Sequence, residues 1–155
     1  MSFDLEKTVQ RLADIEDIKQ LKARYASACD DNYNPDKLAA LFSESAIWDG
    51  GILGYADGRT AIHEFFAVSH TMVPFAVHQI TTPIIEIDGD TATGEWYLWQ
   101  PMVFQGAALW LSAKYYDQYV RENGKWLYKH LKLDIRMLTP FEEGPAKTRI
   151  IDVGL

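Results

Sequence analysis

The sequence predicts an α+β fold in which helices cover one face of a curved antiparallel sheet. Apolar residues at helical spacing dominate as far as Ser69, and β-branched and aromatic residues dominate from Val77 to Met137. Two turn sequences, Asp88-Gly89-Asp90 and Asn123-Gly124, fold the second stretch into hairpins. Helices and strands segregated in this way build α+β layers, not the alternating units of a parallel α/β sheet. The 155 residues, 48% of them hydrophobic, suffice for one core, so 1–155 is read as a single domain.

The first helix runs from Leu5 to Cys29, where Leu5, Val9, Leu12, Ile15, Ile18, Leu21 and Tyr25 recur every three or four positions between charged residues. Asp14, Glu16 and Asp17 would suit the positive end of a new helix dipole, so a break near Ala13 is the alternative to one continuous helix. Asn34 caps a second, short helix from Pro35 to Phe42, with Pro35 at its first position. A short strand follows at Ala46 to Asp49. The glycines between Gly50 and Gly58 make a loop, and Ile62, Phe65, Phe66 and Val68 give a third helix from Arg59 to about Ser69. Val77–Ile87 pairs with Thr91–Phe104, and Ala107–Val120 with Trp126–Met137. The tail from Thr139 to Leu155 carries a late apolar group and is expected to dock on the pocket mouth or on a neighbouring subunit.

Composition excludes several classes. Fifteen basic against 22 acidic side chains give a net charge of -7, opposite in sign to the basic footprint of nucleic-acid binding. No apolar run approaches a membrane span, and the first residues lack the order of a secretory signal, so a cytoplasmic protein with neither membrane nor nucleic-acid partners is expected. The single cysteine, Cys29, can form no internal disulfide. Phosphate-loop, nucleophile-elbow and paired-histidine metal motifs are missing, which leaves acid–base work or binding with no metal and no cofactor.

His78 is the most suggestive residue, at the start of what reads as a central strand. A buried imidazole beside a carboxylate serves as a general base, and Asp30 or Asp31, at the end of the first helix, can supply that carboxylate. Tyr25 lies five residues before Asp30 on roughly the same helix side, and its phenol can polarise a carbonyl or protonate a departing hydroxyl. Arg136 could meet a substrate carboxylate. Asp31, Trp96 and Trp110 complete the set as substrate-contacting candidates, the tryptophans being drawn from an aromatic group that falls on both sheet faces. Each has a plainer alternative: a core histidine with satisfied nitrogens, carboxylates that end a helix, a core tyrosine, a solvated arginine.

The helical lead Ile15-Glu16-Asp17-Ile18-Lys19-Gln20-Leu21-Lys22-Ala23-Arg24-Tyr25, the Tyr25-to-Asp30 interval and Leu38-Ala39-Ala40-Leu41-Phe42 form an ordered set. His78, the turn Ile87-Asp88-Gly89-Asp90-Thr91-Ala92-Thr93-Gly94 and the hairpin Arg121-Glu122-Asn123-Gly124-Lys125-Trp126 continue it. In this order and spacing the chain resembles the nuclear transport factor 2-like superfamily, and within it the SnoaL-like proteins, which include scytalone dehydratase, dehydrochlorinase and bile-acid 7α-dehydratase types. The resemblance covers nearly the whole chain. It implies a cone-shaped, cystatin-like fold, in which a curved, mixed but mostly antiparallel sheet wraps around three N-terminal helices and a pocket opens between them. By the same resemblance Tyr25, Asp30 and His78 match catalytic positions of the bile-acid dehydratase type, and Arg136 matches a further one only with a one-residue shift. Gln100 stands where that type has an acidic residue, and since an amide can hydrogen-bond but cannot take a proton, the resemblance makes it a substrate-contacting candidate.

The expectation is a cofactor-independent lyase or isomerase, foremost a dehydratase, acting on a small hydrophobic cyclic metabolite through His/Asp acid–base catalysis. The alternative is a non-catalytic module of the same fold that binds a small ligand or assembles with other subunits. Under either reading the outward-facing Trp and Tyr residues suggest a homodimer or homotrimer.

Overall fold

In the computed structural model, which describes residues 4–154, a single long helix α1 (Leu5–Asp30) leads into the short α2 (Pro35–Ala39). Strand β1 (Phe42–Asp49), a 3-10 turn, strand β2 (Tyr55–Asp57) and helix α3 (Arg59–Met72) follow. Strands β3 (Phe75–Ala76), β4 (Gln79–Asp88), β5 (Thr91–Phe104), β6 (Ala107–Glu122) and β7 (Lys125–Pro140) complete the chain. The seven strands form one sheet in the order β2-β1-β7-β6-β5-β3, with β4 also paired to β5. All pairings are antiparallel except β1 with β7, so the sheet is mixed. Among the described residues no helix is long and apolar enough to cross a membrane.

Helix α1 does not break near Ala13. Asp14, instead of starting a new helix, is buried and bound by Gln10, by Arg121 and by the Trp126 indole, so its charge is used in tertiary contacts. Asp4 caps the helix by accepting from the Lys7 backbone N–H. Helix α2 begins on the Asn34 cap and Pro35 but stops at Ala39, and β1 starts at Phe42, four residues before the expected strand. The early start is tertiary: Phe42 registers with Tyr128 of β7, a parallel pairing that local periodicity does not encode.

The largest correction concerns His78. Strands β3 and β4 flank it, and both pair only with β5, so His78 lies at a break in the edge of the sheet and not in a central strand. Strands β5 and β6 alternate cleanly. Ala92, Trp96, Leu98, Gln100 and Met102 point inward with Leu111, Tyr115, Asp117 and Tyr119, while Tyr97, Trp99, Trp110 and Tyr116 point outward. Gly94 is required at its place, because a Cβ there would lie 2.9 Å from both the Trp96 indole nitrogen and the Tyr119 hydroxyl. Asn123 and Gly124 take the positive φ values of 50° and 75° that their tight turn demands. Beyond β7 the tail returns beside its own strand: Leu138 bridges Ile150, donating to the Arg149 carbonyl and accepting from the Ile151 N–H. Ile151 and Val153 pack on the core.

Candidate active site

The C-terminal half of α1 turns Ile18, Leu21, Lys22, Tyr25, Ala28 and Cys29 inward, and its last residue, Asp30, reaches the break between β3 and β4. Because His78 sits outside the strand pairing, its backbone N–H is free for Asp30, donating at 3.0 Å to one carboxylate oxygen and at 3.3 Å to the other. The His78 ring nitrogen Nδ1 lies 2.7 Å from Asp30 Oδ1. A carboxylate only accepts, so in the neutral imidazole this contact places the ring proton on Nδ1 and leaves Nε2 with a free lone pair. Nε2 makes no hydrogen bond among the described residues. The His78 side chain is 5% exposed while that of Asp30 is 34% exposed, so the imidazole is enclosed and its carboxylate partner keeps contact with water.

His78 forms part of the wall of a cavity of about 290 Å³ between the sheet and helices α1 and α3. Its walls are mostly apolar: Trp48, Phe65, Phe66, Met72, Met102 and Phe104 contribute broad surfaces. The polar side chains among the wall residues are His78, Gln100, Ser69, Thr71 and three phenols, Tyr25, Tyr33 and Tyr115, besides the Trp48 indole. Burial pushes all three phenols well above the ordinary tyrosine value, so they are neutral hydrogen-bonding groups. The Tyr25 hydroxyl accepts from the Trp48 indole at 3.0 Å and lies against the Cys29 thiol. Tyr33 lies beside Gln100, whose amide donates to the Met102 sulfur at 3.2 Å. Tyr33 has a φ of 52°, an uncommon conformation for a bulky residue. It is held there by stacking on Phe66, with ring centroids 6.0 Å apart, and by an edge contact to His78 at 5.9 Å.

Of the residues singled out in the sequence, the fold brings together Tyr25, Asp30, His78 and Gln100. The others lie elsewhere. Asp31 is turned to solvent by the end of α1 and binds Lys37 at 2.8 Å and Asn34 at 3.2 Å, so Asp30 is the carboxylate that pairs with His78. Lys37, first by its hydrogen bond and then by its charge, holds the Asp31 carboxyl below the usual range. Arg136 points outward on β7 and has only Asp134, 3.9 Å away, as an ionic partner. Trp110 lies on the outer sheet face, stacked on Trp99 at 5.2 Å and against Phe141 at 5.1 Å. Trp96 points inward but lies outside the cavity wall, donating to the Tyr119 hydroxyl at 2.9 Å. Strand phase decides these outcomes, since a one-residue change of position reverses the face. Tyr33, Trp48 and Tyr115 escaped the sequence reading as site residues. Tyr33 depends on a left-handed backbone in a loop, and Trp48 and Tyr115 on pairings far along the chain.

The sequence profile of the SnoaL-like domain matches residues 10–132. An uncharacterized protein of Mycobacterium tuberculosis is 31% identical over 129 residues, covering 79% of this chain and 87% of its own. Among solved structures, a provisionally named scytalone dehydratase from Novosphingobium aromaticivorans superposes with a TM-score of 0.79 at 21% identity, covering 96% of this chain and 98% of that one. A type 3 hexachlorocyclohexane dehydrochlorinase from Novosphingobium barchaimii gives 0.79 at 19% identity, covering 94% and 99%. These likenesses extend to the fold, which is the cystatin-like arrangement of helices and curled mixed sheet. The chain belongs to the SnoaL-like family of the nuclear transport factor 2-like superfamily.

Proposed function

We propose that this protein is a lyase or isomerase that removes a proton from a small, largely apolar cyclic substrate, with loss of water as the foremost reaction. The observation that carries the reading is the His78–Asp30 pair: a 2.7 Å contact that commits Nδ1 and leaves Nε2 free at the wall of an apolar cavity. A site that only holds an apolar ligand has no use for an imidazole oriented by a carboxylate. The dehydratase and dehydrochlorinase names of two proteins that share the fold agree with elimination chemistry.

In the dehydration, Nε2 takes the proton from carbon next to a carbonyl, the electrons form the carbon–carbon double bond, and the carbon–hydroxyl bond breaks. The imidazolium, stabilised by Asp30, returns a proton to the departing hydroxyl, which leaves as water. A phenolic hydroxyl in the wall hydrogen-bonds the carbonyl as its oxygen gains negative charge, and the Gln100 amide orients the substrate. Imidazole, carboxylate and phenol suffice for every step. A cavity of about 290 Å³ lies at the lower end of ligand pockets, which favours one- or two-ring substrates over steroids.

The test is a panel of mono- and bicyclic β-hydroxy-ketones followed by the ultraviolet absorbance of the conjugated enone. Turnover by the unmodified protein that falls at least about a hundredfold in His78→Ala supports the reading. Turnover retained in that variant overturns it.

A further inference from the structure

A buried pair of charges stands behind the cavity wall, and the chemistry above does not use it. Lys22, less than one helical turn before Tyr25 on α1, places Nζ 2.7 Å from Asp117 Oδ2 of β6, with side chains 2% and 0% exposed. The Tyr119 hydroxyl donates to the same Asp117 oxygen at 2.8 Å and accepts from Trp96 at 2.9 Å. Burial draws the Lys22 pKa down and pushes the Asp117 pKa up, while their mutual attraction opposes both shifts. The ammonium also lies 3.3 Å from the centroid of the Tyr115 ring, with the Tyr25, Tyr128 and Trp96 rings at 5.4, 5.6 and 5.9 Å. Four aromatic faces and one carboxylate form a cage suited to a cation.

Tyr115 has the cation on its ring face and is part of the cavity wall. Its hydroxyl makes no hydrogen bond to the described residues, whereas that of Tyr25 accepts from the Trp48 indole and lies against the Cys29 thiol. A cation over a phenol ring withdraws electron density and makes the hydroxyl a stronger donor. A buried ion pair stabilises a fold weakly compared with apolar side chains of similar size, so stability alone is a poor reason for this one.

We propose that Tyr115 donates a hydrogen bond to the substrate oxygen that gains negative charge, and that Lys22, held by Asp117 against the Tyr115 ring, is the positioning residue that strengthens this donor. The proposal rests on the proton-abstraction reading for its role in turnover. The donor itself can be tested without a substrate.

The probe is 4-nitrophenol, whose visible absorption distinguishes phenolate from phenol. Titrations are run in a His78→Ala background, so that the imidazole contributes nothing and the outcome is separate from that of the His78–Asp30 pair. The bound probe is expected to ionise at lower pH than the free one. Tyr115→Phe should remove that shift and weaken phenolate binding at least about tenfold. Lys22→Met/Asp117→Leu, which replaces the pair by apolar side chains and avoids a bare buried carboxylate, should weaken it about tenfold while urea unfolding shows an intact fold. A probe that does not bind, or binds without the shift, overturns the proposal, as does a shift that survives Tyr115→Phe. A shift unchanged in the double variant reduces Lys22 to a structural residue and overturns its part.

Discussion

Asp30 and Asp117 are both carboxylates bound at 2.7 Å to a nitrogen of another element, yet their surroundings give them different work. Asp30 ends a helix at the sheet edge, stays in contact with water, and holds an imidazole whose second nitrogen is free. Asp117 lies within the sheet's inner face, shut from water, and holds an ammonium already enclosed by aromatic rings. In the proposed function the open pair passes a proton to and from the substrate and is reset by solvent. The closed pair can only exert its field. Location relative to water, not residue type, separates a reacting group from a supporting one.

The contrast is sharpest in the variants expected to have the largest effects. His78→Ala and Asp30→Asn should each lower turnover on a responsive β-hydroxy-ketone by about a hundredfold or more, with unfolding midpoints in urea close to that of the parent. Asp117→Ala should do the reverse in kind. It leaves a buried ammonium without a partner, and urea unfolding should register a loss of about 3–5 kcal/mol. If Asp117→Ala proves neutral in stability, the closed pair is not a charged pair and the contrast fails.

Smaller effects test the boundary of the cavity. Gln100→Leu removes a polar side chain of the cavity wall and should raise KM about tenfold, while Trp110→Ala and Arg136→Ala, both facing outward, should leave kinetic constants within about twofold. A kinetic defect in either outward variant would show that the active surface extends beyond this cavity. The least effect is expected at Asp31. Lys37 lowers its pKa, so its contribution to stability is present above the ordinary carboxylate range and disappears as the pH falls through the lowered value. Asp31→Asn should therefore flatten the acid limb of stability against pH slightly, with turnover unchanged. A change in turnover would mean that Asp31 shares the work assigned to Asp30.

How far each feature could be read in advance follows the range of the interactions behind it. The Asn34 cap, the Asn123-Gly124 turn and the helical period of α1 are local, and each appears where the sequence places it. Asp14 was open to misreading because a carboxylate suits a helix start as well as a buried partner for Arg121 and Trp126, and nothing near it in the chain distinguishes the two. His78 was legible as a residue and misplaced as to position. Its strand is interrupted between Ala76 and Gln79, where β5 presents Pro101, which accepts from the Val77 N–H but has no N–H of its own to give, a fact of pairing.

The sequence by itself determined the α+β class, the two hairpins with their turns and the candidates Tyr25, Asp30 and His78. Helical period, turn chemistry and residue type are properties of neighbouring residues. Only the tertiary structure decided that Asp30 and not Asp31 meets His78, that Trp110 and Arg136 face away, and that Lys22 finds Asp117, 95 positions along the chain. Those outcomes depend on which strand faces which helix and in what phase. A shift of one residue along a strand reverses a side chain's face without changing the composition or periodicity that a sequence displays.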